Sequence, residues 1–236
     1  MSEHAYSAQT ITQPRAGLTR HGNPQEPRST GPGRALLVAL GCVLALAATW
    51  SIAELVPPAR ARDARLLGEF TWLDKPHIGS VASFLVHLMN PDLFILWGIS
   101  LVAYAISRER PRVALAVVAV MGLAPLTSEQ LKPLLAHAHD RVGEVRIDPA
   151  SWPSGHSTAA MALVLSAILV APAVLRPLAI AFGALFAAAV GVALLILAWH
   201  MPSDVIGGYL VASLWMALAV AVLKAAELRW PTGKPL

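Results

Sequence analysis

Charged residues are scarce in this chain. Asp, Glu, Lys and Arg make up 14% of its 236 residues, against roughly 25% in an ordinary soluble domain. Hydrophobic residues make up 56%, and the mean hydropathy is +0.59. This composition excludes a disordered chain. It also argues against a water-soluble globule, because a 25.0 kDa core cannot hide this much apolar surface. We expect much of the apolar surface to face a lipid bilayer.

Cysteine is nearly absent as well. The single Cys42 lies inside an apolar run, so no disulfide can form within one chain. The formal net charge of +4 is compatible with nucleic-acid binding in principle. However, the 18 Lys and Arg residues lie between apolar blocks and form no basic stripe. We therefore expect no nucleic-acid partner.

The first 33 residues differ in composition from the rest. They are rich in Ser, Thr, Gln, Pro, Gly and Arg and have almost no large apolar side chains, which predicts a disordered tail. About thirty polar residues before the first apolar run are not typical of a signal peptide. We predict a cytoplasmic tail over 1–33, a membrane domain over 34–228 and a short cytoplasmic tail over 229–236.

Six apolar runs approach or reach the roughly 17–25 residues that a bilayer span needs. A shorter run over 78–89 stops at an Asn-Pro pair, which predicts an interfacial or re-entrant helix. The sequence therefore predicts an all-α polytopic membrane protein with six transmembrane helices and one short interfacial helix. The six predicted spans are 35–56, 91–107, 113–131, 157–175, 178–199 and 205–223.

Six spans place both termini on one side of the membrane. Eleven Lys and Arg residues lie on that side and seven on the other, so the positive-inside rule predicts cytoplasmic termini. The loop 132–155 and the turn 199–204 then both face outward. We expect a multi-pass protein of the plasma (cytoplasmic) membrane, with any site in these two segments facing away from the cytoplasm.

One outward segment, 152–157, reads Trp-Pro-Ser-Gly-His-Ser and precedes an apolar helix. Ser154 or Ser157 is a suitable cap for that helix. The unpaired N–H groups of a helix start bind phosphate, and Gly155 lets a ligand approach the backbone closely. His156 would stand beside such an anion. The alternative is a capped helix start with an interfacial histidine.

The other outward segment places His200 and Asp204 at positions i and i+4, on one face if helical. A carboxylate there holds the imidazole in one tautomer and leaves the other ring nitrogen free to attack an electrophile. The alternative is a His–Asp contact that only ends a span. Because two spans separate the segments, we expect His156 and His200 to meet.

Lys132, the segment 153–156 and the His200-x3-Asp204 pair, arranged around six spans, resemble the type 2 phosphatidic acid phosphatase superfamily. These proteins are integral membrane lipid phosphatases with three motifs, K-x6-R-P, P-S-G-H and S-R-x5-H-x3-D. The middle motif matches fully. The resemblance covers roughly residues 35–223.

The first and third motifs depart from the family pattern. His139 stands where the family has arginine and Asp140 where it has proline, while Ala193 and Leu194 occupy the serine and arginine positions of the third motif. Both arginines that clamp phosphate in the family are thus missing from their usual places. Histidine cannot copy the bidentate contact of arginine. The replacement donors we expect are Arg141, Arg146, His137, His139 and backbone N–H groups.

The resemblance implies a lipid phosphatase or diphosphatase that needs no metal or other cofactor. His200 would attack phosphorus to form a phosphohistidine, Asp204 would orient it, and His156 would act as general acid. The implied substrates are polyprenyl diphosphates, phosphatidic acid and phosphatidylglycerol phosphate. The phosphate-binding groups that the resemblance implies are Lys132 and the backbone amides of Ser154 and Gly155. His139 and Arg141 are our predicted replacements for the missing arginines.

Other functions stay open at this point. A family member with weakened catalysis would act as a lipid-phosphate binding or transport module. An intramembrane serine hydrolase would use Ser154 or Ser157 with His200, although neither serine lies in a G-x-S-x-G elbow. A metal site at 137–140 would need further ligands.

Overall fold

The computed structural model describes residues 31–136 and 147–231, and all the regular structure in these two ranges is helical. The residues predicted as tails therefore lie largely outside the described part of the chain. The helices described are α1 (Pro32–Leu55), α2 (Pro57–Thr71), α3 (Pro76–His87), α4 (Pro91–Ser107), α5 (Pro111–Leu134), α6 (Gly155–Val170), α7 (Arg176–Ile196) and α8 (Pro202–Arg229).

Proline marks the start of most of these helices. Six begin with Pro, and α7 has Pro at its second position. Proline suits a helix start because its missing N–H has no partner there in any case. Sequence reasoning took Pro57 and Pro58 only as the end of an apolar run. It therefore missed α2, which these two prolines begin.

The all-helical membrane fold is confirmed. Helices α1, α5, α7 and α8 are long and apolar enough to cross a bilayer, and α3 with α4 adds a fifth span if this pair, bent by 53°, is counted as one. α3 lies where the short interfacial or re-entrant helix was expected. The count of six spans stays a prediction, because α4 with 17 residues and α6 with 16 stand at the short limit of a span.

Large apolar side chains cover the outside of this helical unit. Leu37 on α1 and Leu115 on α5 are each 69% exposed, and Leu185 on α7 is 67% exposed. Such side chains are unfavourable in water and favourable against lipid. The surplus of apolar residues noted in the composition is therefore found on the surface, as expected for a membrane protein.

Helix α8 packs against α1, α5 and α6. Its Gly208 allows a close approach to the start of α6. A Cβ at Gly208 would lie 2.5 Å from the carbonyl oxygen of Ser154 and 2.9 Å from the amide nitrogen of Thr158. Small residues at such crossings let helix backbones meet in lipid. The glycine therefore sets the spacing between α8 and the start of α6.

The residues Gly31–Leu236 form one compact unit. The division into a tail over 1–33, a membrane domain over 34–228 and a tail over 229–236 stays a prediction.

Gly208→Ala is expected to destabilise the protein by about 1–3 kcal/mol, because the added methyl group must push α6 away from α8. Thermal unfolding of the purified protein in detergent measures this as a lower midpoint. Gly122→Ala on α5 is the matched control, since no heavy atom lies within 4 Å of a Cβ added there. Equal midpoints for the two variants would contradict the close crossing.

Candidate active site

The end of α5 and the starts of α6 and α8 meet at one face of the helical unit, which we call the site face. The backbone N–H of Ser154 donates to the carbonyl oxygen of Asp204 at 3.0 Å. The Ser128 hydroxyl of α5 donates to the carbonyl oxygen of Pro153 at 3.0 Å. These bonds join three helices, so the two segments singled out in the sequence lie together.

His200 and Asp204 form a hydrogen-bonded pair at the start of α8. Nδ1 of His200 lies 3.3 Å from Oδ2 of Asp204, and the same oxygen accepts the backbone N–H of Met201 at 2.9 Å. Asp204 is fully buried and His200 is 9% exposed. A hydrogen bond from the neutral His200 imidazole to this carboxylate requires the proton on Nδ1, and that tautomer leaves the lone pair of Nε2 free. This is the tautomer that a nucleophilic imidazole requires.

His156, the second residue of α6, lies beside the turn that carries His200. Its ring contacts that of Trp199 edge-to-face, with 5.6 Å between ring centroids. Trp199 directly precedes His200 in the chain, so the contact links the two histidine segments. Aromatic pairs in this geometry are stabilising, and this one restricts the position of the His156 ring.

His156 precedes the predicted span 157–175 and therefore lies outside it. Burial lowers the pKa of this imidazole to about 4, and the nearby His200 and Lys132 add to the effect. His156 is therefore neutral at pH 7. A phosphate anion bound nearby would oppose these causes, because an opposite charge favours the protonated imidazole. A bound phosphate would therefore raise the pKa of His156.

Ser154 and Ser157 hold α6 in place. Oγ of Ser154 accepts the backbone N–H of Ser157 at 3.4 Å, which is the predicted helix cap. Oγ of Ser157 lies 3.1 Å from the carbonyl oxygen of Ser154 and 3.2 Å from that of Val205. Both serines are fully buried. Hydroxyls engaged in this way are poorly placed as nucleophiles, which counts against the serine hydrolase alternative.

The Ser154 amide, which was predicted to contact phosphate, is already engaged with Asp204. The next two amides, of Gly155 and His156, belong to the first turn of α6. First-turn N–H groups have no acceptor within their own helix. They are the better candidates for binding an anion.

Lys132 lies near the end of α5, beside the start of α6. Its Nζ donates to Oε1 of Glu129 at 2.6 Å. A Cβ added at Gly155 would lie 3.5 Å from this Nζ and 2.8 Å from the Glu129 oxygen. Glycine at position 155 thus leaves room for the Glu129 carboxylate beside the helix start. The structure thus brings together Lys132, Gly155, His156 and the His200–Asp204 pair.

The side chains expected to replace the missing arginines as phosphate donors lie outside the described residues. His139 and Arg141, together with His137 and Arg146, belong to the segment 137–146. The metal site considered at 137–140 lies there too. At the third motif, Ala193 and Leu194 are both buried, with 1% and 0% exposure, and belong to a hydrophobic cluster. A buried apolar side chain, Leu194, therefore occupies the position at which the family has a phosphate-binding arginine.

Sequence reasoning missed Asp63 on α2. Its Oδ2 accepts the hydroxyl of Ser203 at 2.6 Å and its Oδ1 accepts the Ser203 backbone N–H at 3.2 Å. Ser203 lies in the first turn of α8, next to Asp204. A carboxylate at a helix start also complements the helix dipole. No local signal reveals this contact, because 140 residues separate the partners.

The model of the PAP2 superfamily matches residues 98–227, more than half of the chain. This chain belongs to the PAP2 superfamily. The matched region runs from α4 to α8 and includes Lys132, Gly155, His156, His200 and Asp204. Among the site-face residues described above, Asp63 alone lies outside it.

A solved structure shares the fold of this PAP2-superfamily chain. It is the first transmembrane PAP2 type phosphatidylglycerolphosphate phosphatase from Bacillus subtilis. The TM-score is 0.67 at 18% sequence identity, and the alignment covers 83% of this chain and 98% of the other. At that identity the likeness shows the fold alone. Comparison with curated proteins gives no significant match.

Asp63→Ala is expected to loosen the first turn of α8, because it removes both hydrogen bonds to Ser203. Hydrogen bonds to charged groups contribute roughly 1.5–3 kcal/mol, so amide hydrogen exchange there should accelerate about tenfold or more. Exchange measured on a peptide covering residues 200–206 checks this. Glu69→Ala, at an exposed position of the same helix, is the control. Equal exchange in both variants would exclude a role for Asp63 in holding α8.

Proposed function

We propose that this chain is a membrane phosphatase that hydrolyses a lipid phosphate monoester or diphosphate through a phosphohistidine intermediate. The observation that supports this best is the buried His200–Asp204 pair, with Nδ1 and Oδ2 at 3.3 Å. A nucleophilic imidazole needs such a partner, and His156 and Lys132 lie at the same site face. Membership of the PAP2 superfamily agrees with this chemistry.

In the first step, Nε2 of His200 attacks phosphorus and the bond from phosphorus to the lipid oxygen breaks. Oδ2 of Asp204 accepts the hydrogen bond from Nδ1–H of His200 during both steps. The carboxylate also stabilises the positive charge that develops on the imidazole. Protonated His156 gives its proton to the departing oxygen, because an alkoxide is a poor leaving group. General acid catalysis of this kind contributes about 10²–10⁴-fold.

In the second step, water attacks phosphorus and the bond between phosphorus and Nε2 breaks. His156, now neutral, accepts the proton of the water. Inorganic phosphate leaves, and His200 returns to its starting tautomer. A lipid alcohol is the other product from a monoester, and a lipid monophosphate is the other product from a diphosphate.

The phosphoryl oxygens need positive partners during both steps, since charge stabilisation dominates phosphoryl transfer. We assign this role to the Lys132 ammonium group and to the backbone amides of Gly155 and His156. His139 and Arg141 remain our predicted further donors. Because Leu194 fills the place of one family arginine, donors from the segment 137–146 carry more of the binding than in the family pattern.

The substrate class follows from where the site face lies. Lys132, His156 and Asp204 stand at the ends of apolar helices, so an acyl or prenyl chain in the bilayer can bring its phosphate to them. We propose polyprenyl diphosphates, phosphatidic acid and phosphatidylglycerol phosphate as candidates. The fold shared with the phosphatidylglycerolphosphate phosphatase from Bacillus subtilis favours phosphatidylglycerol phosphate among them. We further propose a plasma-membrane location with cytoplasmic termini and the site face outward.

The second candidate function is lipid-phosphate binding or transport without turnover. One observation favours it: Leu194 is buried in the core where the family has a phosphate-clamping arginine. Loss of that arginine weakens transition-state stabilisation more than ground-state binding if the arginine's contact tightens during the reaction.

Phosphate release from a panel of lipid phosphates by purified protein in detergent tests the proposal. His200→Ala is expected to abolish release, and His156→Ala to lower it by about 10²-fold or more. With a substrate labelled with ³²P at phosphorus, the intact protein should carry an acid-labile label that His200→Ala lacks.

His77→Ala supplies the control, because His77 is an exposed histidine at the start of α3. It should release phosphate at the rate of the unchanged protein. Undiminished release by His200→Ala would refute the mechanism. Binding of lipid phosphates by the unchanged protein without any release would establish the second candidate instead.

A further inference from the structure

Glu129 has no part in the mechanism above, yet its carboxylate lies among the groups assigned to phosphate. Its Oε1 accepts a hydrogen bond from Nζ of Lys132 at 2.6 Å. The same oxygen would lie 2.8 Å from a Cβ placed on Gly155, the first residue of α6. A glutamate oxygen thus lies next to both the lysine and the helix start that are proposed to bind phosphate.

We infer that the Glu129 carboxylate holds the place of a substrate phosphoryl oxygen, and that substrate must displace it in order to bind. Glu129 would then set the affinity of the site for phosphate. This inference rests on the proposed function, since it takes Lys132 and the start of α6 as the phosphate-binding groups.

The chemistry of the carboxylate supports this role. A carboxylate oxygen and a phosphoryl oxygen are both anionic acceptors of charge-assisted hydrogen bonds. Both are attracted by an ammonium group and by the positive end of a helix dipole. Lys132 and the first turn of α6 therefore suit either anion, and the repulsion between the two anions weakens the binding of phosphate while the carboxylate is in place.

Exposure shows that the displacement is feasible. The Glu129 side chain is 56% exposed and the Lys132 side chain 23%. An ion pair this open to water contributes little stability. The carboxylate can rotate into solvent while the more buried lysine stays in place, so substrate loses only a modest part of its binding energy in displacing it.

We expect the affinity of the site for phosphate to rise when the negative charge of Glu129 is removed. Glu129→Gln keeps an oxygen acceptor for Lys132 but loses the negative charge. Orthovanadate and inorganic phosphate are the probes, and their affinity is read from the rise of the thermal unfolding midpoint with ligand concentration. We expect dissociation constants about fivefold lower, the effect of one unit charge about 4 Å away in water. Glu129→Ala should act in the same direction.

Glu69→Gln is the matched control, because it removes one exposed carboxylate from α2, which packs against α7 and α8. It should leave both dissociation constants unchanged. Weaker anion binding by Glu129→Gln, or binding equal to that of the control, would overturn the inference. In either case the carboxylate would serve only to hold Lys132.

The test separates this inference from the proposed function. If the unchanged protein releases phosphate from lipids while Glu129→Gln binds anions no more tightly, only the inference fails. If the unchanged protein releases no phosphate, the proposed function fails, and a gain in anion affinity in Glu129→Gln still supports the displacement of the carboxylate.

Discussion

The buried carboxylate of Asp204 is the group on which the site face depends. Its Oδ2 holds both the His200 imidazole and the Met201 amide, and its backbone oxygen accepts the amide of Ser154. One residue thus orients the predicted nucleophile, shapes the first turn of α8 and joins α8 to α6.

The second constraint is close helix packing. Gly208 lets α8 approach the backbone at 154–158, and Gly155 leaves room beside α6 for Lys132 and Glu129. In lipid, apolar side chains gain little by leaving the surface for a helix interface, so association relies on such close fits and on interhelical hydrogen bonds. The packing that stabilises the fold is therefore the packing that assembles the site. The hydrogen bonds from Ser203 to Asp63 join α2 to the start of α8 in the same region.

Much of the fold could be predicted because helices in lipid must satisfy their own backbone hydrogen bonds. Apolar length and proline positions were enough to place seven of the helices described. The eighth, α2, was missed because it is short and polar, and because two prolines that end one helix can also begin the next. The count of six spans stays a prediction for a different reason, because α4 with 17 residues and α6 with 16 stand at the short limit of a span.

For the site, the sequence alone predicted the local pairs and motifs. These are the His200–Asp204 spacing, a helix cap at Ser154 or Ser157, and the order of the motifs along the chain. The tertiary structure determined which groups from distant segments lie together at the site face. It placed Trp199 against His156, Asp63 on Ser203, Glu129 at Gly155 and Leu194 in the core. Local spacing predicts contacts along one helix because its geometry is fixed, whereas contacts between helices depend on crossings that no single segment encodes.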